Sequence, residues 1–281
     1  MRFEIITIFP GFFASIFENG VVRRALAEGL VEVGIHDLRD FTHDRHRTVD
    51  DRPFGGGEGM VLKPEPLAEA LGSLGIAPRA QRVLEHCTPP QVISASQRVV
   101  LLSAQGRPFT QALARELASL DRVALLCGRY EGVDERINEL YCDMELSIGD
   151  YVLSGGELAA AVVVDATMRL IPGVLGNEAS SEFESFGVAD ADIATDIEGV
   201  PRSQHGAGGL LDYPHYTRPA EFGGLRAPDA LLNGDHGQIR RWRREQQLRK
   251  TLANRPDLLE SCALSAEDRN ILEAMRAEKS R

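Results

Sequence analysis

Glycine turns placed after short apolar runs are the features of this chain best suited to hold a small ligand through backbone atoms. Gly128 closes one such run, Gly149 closes a second, and Gly155 and Gly156 precede a long apolar segment. An apolar run that stops at a glycine is typical of a buried strand ending in a tight turn. Glu131 adds a carboxylate to the first turn. Together the turns predict a pocket beside the helix that follows them.

A second set of residues suits a phosphate or a flipped base. The segment from Asp40 to Leu67 combines glycines, whose backbone can approach a ligand closely, with cationic donors. Its spacing is not that of a nucleotide P-loop, because Lys63 is followed by proline. The pattern fits a binding loop and a plain flexible turn equally well. The residues concerned are His43, Arg45, His46, Arg47, Arg52, Gly55, Gly56, Gly57 and Gly59.

A cationic strip lies near the carboxyl terminus. Residues 239–252 have helical periodicity and set many cations against one acid, Glu245. Such a helix is either a phosphate-binding face on an otherwise acidic protein or a solvated surface. The cations are Arg240, Arg241, Arg243, Arg244, Arg249 and Lys250, with Trp242 among them.

The elements that must position these residues alternate between strand and helix. Strands are predicted at residues 3–9, 31–38, 99–102, 123–127 and 144–148. Helices are predicted at residues 12–29, 65–73, 110–120, 155–170, 239–252 and 265–279. The alternation indicates an α/β fold. If the later strands are parallel, their carboxyl ends and the glycine turns lie at one edge of the sheet, where open α/β sheets bind ligands.

Local signals define several helix ends. Gly29 is a predicted helix stop, and Ser154 with Glu157 matches a capping box, as does Ser265 with Asp268. The helix after Ser154 is apolar on all sides over residues 158–164. We therefore expect it to be buried or shared with another subunit.

Composition narrows the class of protein. The 281 residues are 43% apolar, which is enough for a substantial core, and a net charge of −11 argues against indiscriminate coating of nucleic acid. The four cysteines lack the spacing of a zinc site or a disulfide framework. The opening residues lack a signal-peptide pattern, and no apolar run reaches the ~18 residues of a membrane span. These features predict a reduced, cytoplasmic compartment and no membrane partner.

Five long motifs follow one another along most of the chain: CGRYEGVDER from Cys127, SIGDYVLSGGEL from Ser147, RLIPGVLGNEAS from Arg169, LLDYPHYTRP from Leu210 and HGQIRRWR from His236. In these motifs and in their order the chain resembles bacterial tRNA (guanine-N1)-methyltransferases. The resemblance implies a trefoil-knotted SPOUT methyltransferase domain with a parallel sheet, a small helical carboxy-terminal domain and an obligate homodimer with its active site at the subunit interface. It also implies methylation of the guanine just 3′ of the anticodon, position 37, by S-adenosylmethionine.

The resemblance assigns residues to roles. Asp212 is the expected general base for guanine N1, Arg169 the cation that stabilises charge on the guanine oxygen, and Glu131 an acidic residue beside cofactor and base. The family uses magnesium, although no ligand cluster is recognisable, so the metal site is unknown. Ala104 stands where the family has proline. The expected cofactor-binding residues are Leu101, Leu102, Ser103, Ala104, Gly106, Gly128, Ile148, Gly149, Tyr151, Leu153, Gly155 and Gly156. The expected substrate-binding residues are Gly55, Gly56, Gly57, Gly59, Ser180, Arg240, Arg241 and Arg243.

An acidic, glycine-containing stretch separates the two predicted domains. The cofactor domain is expected over residues 1–186, a flexible linker or lid over 187–208, and the helical tRNA-binding domain over 209–281. Loops of such length are normally functional or disordered. Two other functions stay compatible with the residues. A different SPOUT enzyme would keep the cofactor turns but act on another nucleotide without needing Asp212, and a non-catalytic RNA-binding module would need only the cationic strip.

Overall fold

A computed structural model describes residues 1–84, 96–176, 180–187 and 206–279 of the chain. It divides the protein into two compact units, residues 1–176 and 177–281. Residues 180–187 belong to the second unit because Phe186 donates its backbone N–H to Leu210 and Gly209 donates to Gly187. The predicted domain boundary at residue 186 therefore lies ten residues after the observed division. The predicted linker falls mostly on residues 188–205, which lie outside the described residues.

The first unit is an α/β layered structure, as predicted. Its strands are β1 (Arg2–Thr7), β2 (Glu32–Asp37), β3 (Asp50–Asp51), β4 (Val61–Leu62), β5 (Gln97–Pro108), β6 (Arg122–Cys127) and β7 (Met144–Ser147). Its helices are α1 (Gly20–Ala27), α2 (Pro64–Ser73), α3 (Arg79–Leu84), α4 (Gln111–Ala118), α5 (Glu135–Tyr141) and α6 (Glu157–Met168).

The long strands form a parallel sheet in the order β2-β1-β6-β5-β7. Side chains alternate across it: Val100 and Leu102 pack with α1, α4 and α6 on one face, and Val99 and Leu101 pack with α2 and α5 on the other. The predicted alignment of the carboxyl ends of β5, β6 and β7 is confirmed. A sheet buried on both faces explains why these strands read as continuous apolar runs.

The helix predicted over residues 12–29 is wrong in its first half. The segment contains 3-10 turns at Pro10–Phe13 and Ile16–Glu18, and α1 begins only at Gly20. Asn19 is extended (φ −128°, ψ 156°), and Gly20 has a φ of +61°, so the helix cannot run through this pair. The predicted stop is confirmed, because Gly29 follows the helix with a φ of +70°.

The second unit is mainly helical in its described part. It contains α7 (Ser180–Phe183), the hairpin strands β8 (Glu221–Phe222) and β9 (Leu225–Arg226), and the helices α8 (Asp229–Leu232), α9 (His236–Asn254), α10 (Leu258–Ser261) and α11 (Ala266–Lys279). Leu210, Leu248, Leu259 and Leu272 form its core. The capping box predicted for α11 is confirmed: Asp268 donates its N–H to Ser265 Oγ at 3.1 Å, and Ser265 N–H donates to Asp268 Oδ2 at 2.9 Å.

Asp268 also holds α11 to α9. Arg244 donates Nε and Nη2 to its two carboxylate oxygens at 2.7 and 2.9 Å. Burial alone would raise the pKa of Asp268, but the hydrogen bonds and charge of Arg244, with the Ser265 N–H, lower that pKa below its ordinary value of 3.8. A lowered pKa in the folded state contributes stability that is present above about pH 3.8 and is lost as the pH falls through the folded value.

We expect Asp268→Asn to destabilise the helical unit by roughly 3 kcal/mol at pH 7, because it leaves the charge of Arg244 buried without its partner. The difference from the parent should shrink below about pH 3.8, the ordinary pKa of the carboxyl. Denaturant unfolding followed by circular dichroism at pH 7 and pH 3 measures both. Glu245→Gln, which breaks the exposed pair with Arg249, is the control and should cost less than ~1 kcal/mol. Equal losses for the two variants would contradict the prediction.

Candidate active site

A cavity of about 280 Å³ lies in the first unit beside residues 102–105 of β5 and the ends of β6 and β7. Its walls are the turn after Leu102, the turn after Cys127, and the chain from Ser147 to Gly156 that leads into α6. Of the predicted cofactor-binding residues, those that line it are Leu102, Ser103, Ala104, Gly128, Ile148, Gly149, Tyr151, Leu153, Gly155 and Gly156.

Two of the predicted cofactor residues do not line the cavity. Leu101 packs with the layer of α2 and α5, because neighbouring strand residues point to opposite faces of the sheet. Gly106 lies against β7, where a Cβ atom would come within 2.2 Å of the backbone nitrogen of Leu146. Leu102 and Arg107 both pair with Leu146, so residues 103–106 leave the ladder as a bulge. This bulge brings Ser103 and Ala104 to the cavity.

The turns can approach one another only because they contain glycine. A Cβ atom on Gly156 would lie 2.7 Å from Cys127 Cα and 3.1 Å from Gly128 N, and Gly156 donates its N–H to Gly128 O at 2.9 Å. The ring of Tyr151 packs over Gly149, and its hydroxyl donates to Ile148 O at 3.1 Å. At Gly149 and Gly156 the close approach of the turns therefore depends on the absence of a side chain.

The start of α6 differs from the prediction. Gly156 occupies the N-cap position without a side-chain hydrogen bond, so the prediction of a capping box formed by Ser154 and Glu157 is wrong. Glu157 is instead buried and accepts hydrogen bonds from Thr7 Oγ1 at 2.7 Å and Arg129 Nε at 3.1 Å. A buried carboxylate satisfied by tertiary partners is not available to cap its own helix.

Arg129 is the main lining residue that sequence reasoning missed. It follows the strand-ending Gly128 within the first motif, and that position next to a glycine turn was the available signal. The neighbouring Tyr130 also lines the cavity and adopts the left-handed conformation, with a φ of +58°. A non-glycine residue in this conformation is uncommon and occurs often at functional sites.

Cys127, at the end of β6, is not suited to nucleophilic chemistry. Burial, and then the charge of Glu157, raises the pKa of its thiol well above the ordinary value. The thiolate is the reactive form of cysteine, so Cys127 has a packing role beneath the cavity.

The glycine-rich loop lies next to the cavity. Gly55, Gly56, Gly57 and Gly59 all have positive φ angles. A Cβ atom on Gly59 would lie 2.5 Å from Glu131 Oε1. Backbone hydrogen bonds from Glu131 N to Met60 O and from Leu62 N to Gly132 O, both 3.0 Å, hold the loop to the Gly128 turn. The structure thus brings together Glu131, which lines the cavity, and the predicted substrate-binding loop.

Arg169 and Asp212 belong to different units. Arg169 is half-buried at the end of α6, where it occupies the C-cap position. Asp212 lies in the second unit, with 20% of its side chain exposed. Its Oδ1 accepts the N–H of Tyr213 at 2.8 Å, its Oδ2 lies 2.9 Å from His215 Nε2, and its own N–H donates to Ser185 Oγ at 2.9 Å. These contacts fix the orientation of the carboxylate, and they give His215 the partner that the sequence did not reveal.

The predicted cationic strip on α9 is only partly a free surface. Arg244 forms its ion pair with Asp268, Arg249 pairs with Glu245, and the guanidinium of Arg243 lies 4.9 Å from the ring centre of Tyr213. Arg241 and Lys250 are exposed, and Arg240 is half-buried. Ser180 begins α7, and its side chain lies outside the described part of the chain. Arg244 is therefore better explained by packing than by phosphate binding.

Within the described ranges, no group of three or more His, Cys, Asp or Glu side chains is arranged to hold a metal ion. No helix among these residues is both long enough and apolar enough to cross a membrane.

The chain is similar over nearly its whole length to one family of known proteins. The sequence model of the family described as tRNA (Guanine-1)-methyltransferase TrmD matches residues 1–261. A protein of Koribacter versatilis named tRNA (guanine-N(1)-)-methyltransferase is 54% identical over 279 residues, which are 99% of this chain and 100% of the relative. Relatives with the same name from Dehalococcoides mccartyi and Geobacter metallireducens are 46% and 45% identical, covering 99% and 97% of this chain and 98% and 96% of their own lengths.

Proposed function

The chain belongs to the tRNA (guanine-1)-methyltransferase family, and from that membership we propose that it transfers a methyl group from S-adenosylmethionine to N1 of a guanine in tRNA. The guanine is the one just 3′ of the anticodon, position 37. The observation that carries the proposal is the cavity of glycine turns at the carboxyl edge of the parallel sheet. We further propose that the chain is trefoil-knotted and acts in the cytoplasm.

The cavity fits the proposed cofactor in size and in chemistry. Its volume of about 280 Å³ is close to the lower end of small-molecule sites, ~300 Å³. Its glycines keep main-chain groups accessible, and Leu102, Ile148 and Leu153 supply apolar contact. When bound, S-adenosylmethionine supplies an electrophilic methyl group that carries its own leaving group. The protein then has to hold and align the reactants, and positioning alone can provide much of the rate.

Guanine N1 carries a proton at neutral pH, so the reaction requires a base, and we assign this role to Asp212. Each of its carboxylate oxygens already has one fixed contact, with the Tyr213 N–H and with His215 Nε2. A carboxylate held in one orientation can accept the N1 proton without reorganising. We propose that Asp212 reaches the guanine in the RNA-bound dimer.

Two further residues complete the proposed catalytic set. Arg169 would stabilise the negative charge that develops on the guanine oxygen as N1 loses its proton. Glu131 lies between the cavity and the glycine-rich loop, and we propose that it places the guanine. The loop itself and the cations Arg240, Arg241 and Arg243 would contact the RNA, together with Ser180.

Magnesium, which the family resemblance implies, stays a proposal without an assigned site. The described ranges contain no group of three or more His, Cys, Asp or Glu side chains arranged to hold a metal ion, but Mg²⁺ is commonly held by one or two carboxylates together with water and substrate phosphates. Activity unchanged by exhaustive chelation and by magnesium titration would contradict a role for the metal.

We propose a homodimer whose interface includes α6. This helix leaves apolar side chains in solvent: Leu158 is 49% exposed and Val162 is 46% exposed. The 3-10 turn at Pro10–Phe13 packs against α6 and exposes Phe12 beside it, and Phe9 precedes that turn. An exposed apolar face of this kind marks an interaction site, and a second copy would bury it.

Val162→Asp is expected to convert the dimer to a monomer and to remove methyl transfer, because a charge at a buried apolar interface lacks a partner. Val162 is exposed in the single chain, so the fold of each unit should persist. Light scattering after gel filtration measures the mass, and circular dichroism checks the fold. Leu140→Asp, the same kind of change at an exposed position on α5, is the control and should stay dimeric. A dimeric Val162→Asp protein would place the interface elsewhere.

The proposed function as a whole is tested by incubating the purified protein with unmodified tRNA and methyl-labelled S-adenosylmethionine, then digesting the RNA and identifying the labelled nucleoside. We expect 1-methylguanosine, mapped to position 37. Label on another nucleotide would indicate a different RNA methyltransferase of this fold. The absence of both transfer and cofactor binding would indicate an RNA-binding module.

A further inference from the structure

An ion pair of a buried carboxylate and a partly buried arginine lies at the cavity wall. The side chain of Glu157 is 1% exposed and that of Arg129 is 19% exposed, with Arg129 Nε donating to Glu157 Oε2 at 3.1 Å. Removing the charge of Glu157 and most of that of Arg129 from water opposes folding, so an apolar pair of the same shape would often serve stability as well or better. Stability alone therefore does not explain the presence of this ion pair.

The contacts of the pair join parts of the chain that are far apart in sequence. Glu157 Oε1 accepts the hydroxyl of Thr7, at the end of β1, at 2.7 Å. Arg129 Nη1 donates to the backbone oxygen of Ser154 at 3.0 Å, and its guanidinium lies 4.5 Å from the ring centre of Phe9. The end of β1, the turn after β6 and the start of α6 thus meet at one ion pair.

Two of these segments, the turn after β6 and the start of α6, form walls of the cavity. Arg129 and Gly155 form an antiparallel bridge, and Gly156 N–H donates to Gly128 O at 2.9 Å. A Cβ atom on Gly155 would lie 2.1 Å from Arg129 Nε, so the guanidinium fills the space directly against this wall. The spacing between the Gly128 turn and the 154–156 turn depends on where Arg129 is held.

We infer that Arg129 and Glu157 are positioning residues for the cofactor, because their ion pair sets the separation of two turns that bind it. The inference rests on the proposed function, in which the cavity takes S-adenosylmethionine. Neither side chain has to touch the reacting atoms. Their role is to hold main-chain donors and acceptors of the turns in place before the cofactor arrives, which lowers the cost of ordering them on binding.

The test is Arg129→Lys, which keeps the positive charge beside Glu157. An ammonium on a flexible stem cannot reproduce the planar group that contacts Glu157 and the Ser154 carbonyl together and lies over Phe9. We expect the dissociation constant for S-adenosylmethionine, measured by calorimetry, to rise on the order of tenfold, as when a residue that orients a binding group is removed. KM for the cofactor should rise more than kcat falls.

Arg82→Lys provides a matched control. Arg82 is a similarly buried arginine of the same unit; it pairs with Asp143 at 2.8 Å and donates to the backbone oxygens of Ala77 and Tyr141, but it does not line the cavity. The Arg82→Lys control should lose thermal stability but keep its cofactor affinity within about twofold. The ion pair of Arg82 with Asp143 lies away from the cavity and does not set the spacing of the turns. Melting temperatures measured without cofactor show whether the two variants are equally destabilised.

Weaker binding of S-adenosylmethionine by Arg129→Lys but not by Arg82→Lys supports the inference. Unchanged binding by Arg129→Lys, or equal weakening in the two variants, overturns it. If Arg129→Lys does not fold, Thr7→Val decides, because it removes the hydroxyl bond to Glu157 together with the hydrogen bond that this hydroxyl accepts from the Phe9 N–H. Unchanged affinity in that variant also overturns the inference. A parent protein that fails to bind S-adenosylmethionine would instead overturn the proposed function.

Discussion

Asp212→Asn is expected to reduce methyl transfer by roughly 10²–10⁴-fold while leaving the affinity for S-adenosylmethionine unchanged. Asparagine has nearly the same shape, and its amide oxygen can still accept the Tyr213 N–H, so the local structure should survive. An amide cannot take up the proton of guanine N1 as a carboxylate does. The loss should therefore appear in the chemical step.

Single-turnover transfer to tRNA and cofactor calorimetry separate these effects. Asp229→Asn, at an exposed carboxylate of the same unit, is the control and should retain full activity. A fully active Asp212→Asn enzyme would exclude Asp212 as the base. Weakened cofactor binding in that variant would assign it to a structural role instead.

Gly156→Ala is expected to weaken cofactor binding by roughly five- to 150-fold. The added methyl group would lie 2.7 Å from Cys127 Cα. The obstructing atoms are backbone and cannot rotate away, so the start of α6 has to move out of the cavity wall. Overpacking of this kind costs about 1–3 kcal/mol, and each 1.4 kcal/mol is tenfold in affinity.

Calorimetry with S-adenosylmethionine measures this change directly. Gly72→Ala, in α2, is the control, because nothing lies within 4 Å of its added methyl group. That variant should bind the cofactor normally and gain a little helix stability. Unaltered binding by Gly156→Ala would mean that the cofactor does not depend on the contact between the Gly128 turn and α6.

The sheet and the position of the cavity were predictable because both depend on local patterns. Continuous apolar runs such as Val123–Cys127 are typical of strands buried on both faces of a covered parallel sheet, and the structure has this arrangement. Each run ends in a glycine or polar turn, so the turns had to meet at the carboxyl edge. The Ser265–Asp268 capping box was predictable for the same reason, since its partners are three residues apart.

Features that depend on distant partners could not be read from the sequence. Ser154 and Glu157 have the same spacing as the box at Ser265, yet Glu157 bonds to Thr7, which is 150 residues away in the chain. Arg244 has the composition of a phosphate ligand, but its partner Asp268 lies on another helix. In both cases a buried charge follows its tertiary partner and not the local motif. The role proposed for Asp212 rests on family resemblance, because an aspartate before tyrosine and proline has no distinctive local signature.

The crowding around Gly156 has a consequence for inhibitors directed at this cavity. Here a compound that bonds to the main chain of the Gly128 turn and of residues 155 and 156 would contact atoms that every variant retains, while larger residues at Gly155 and Gly156 collide with the protein itself. Substitutions at these two positions would also weaken binding of the natural ligand. Resistance to such a compound would therefore have to arise from changes elsewhere in the molecule.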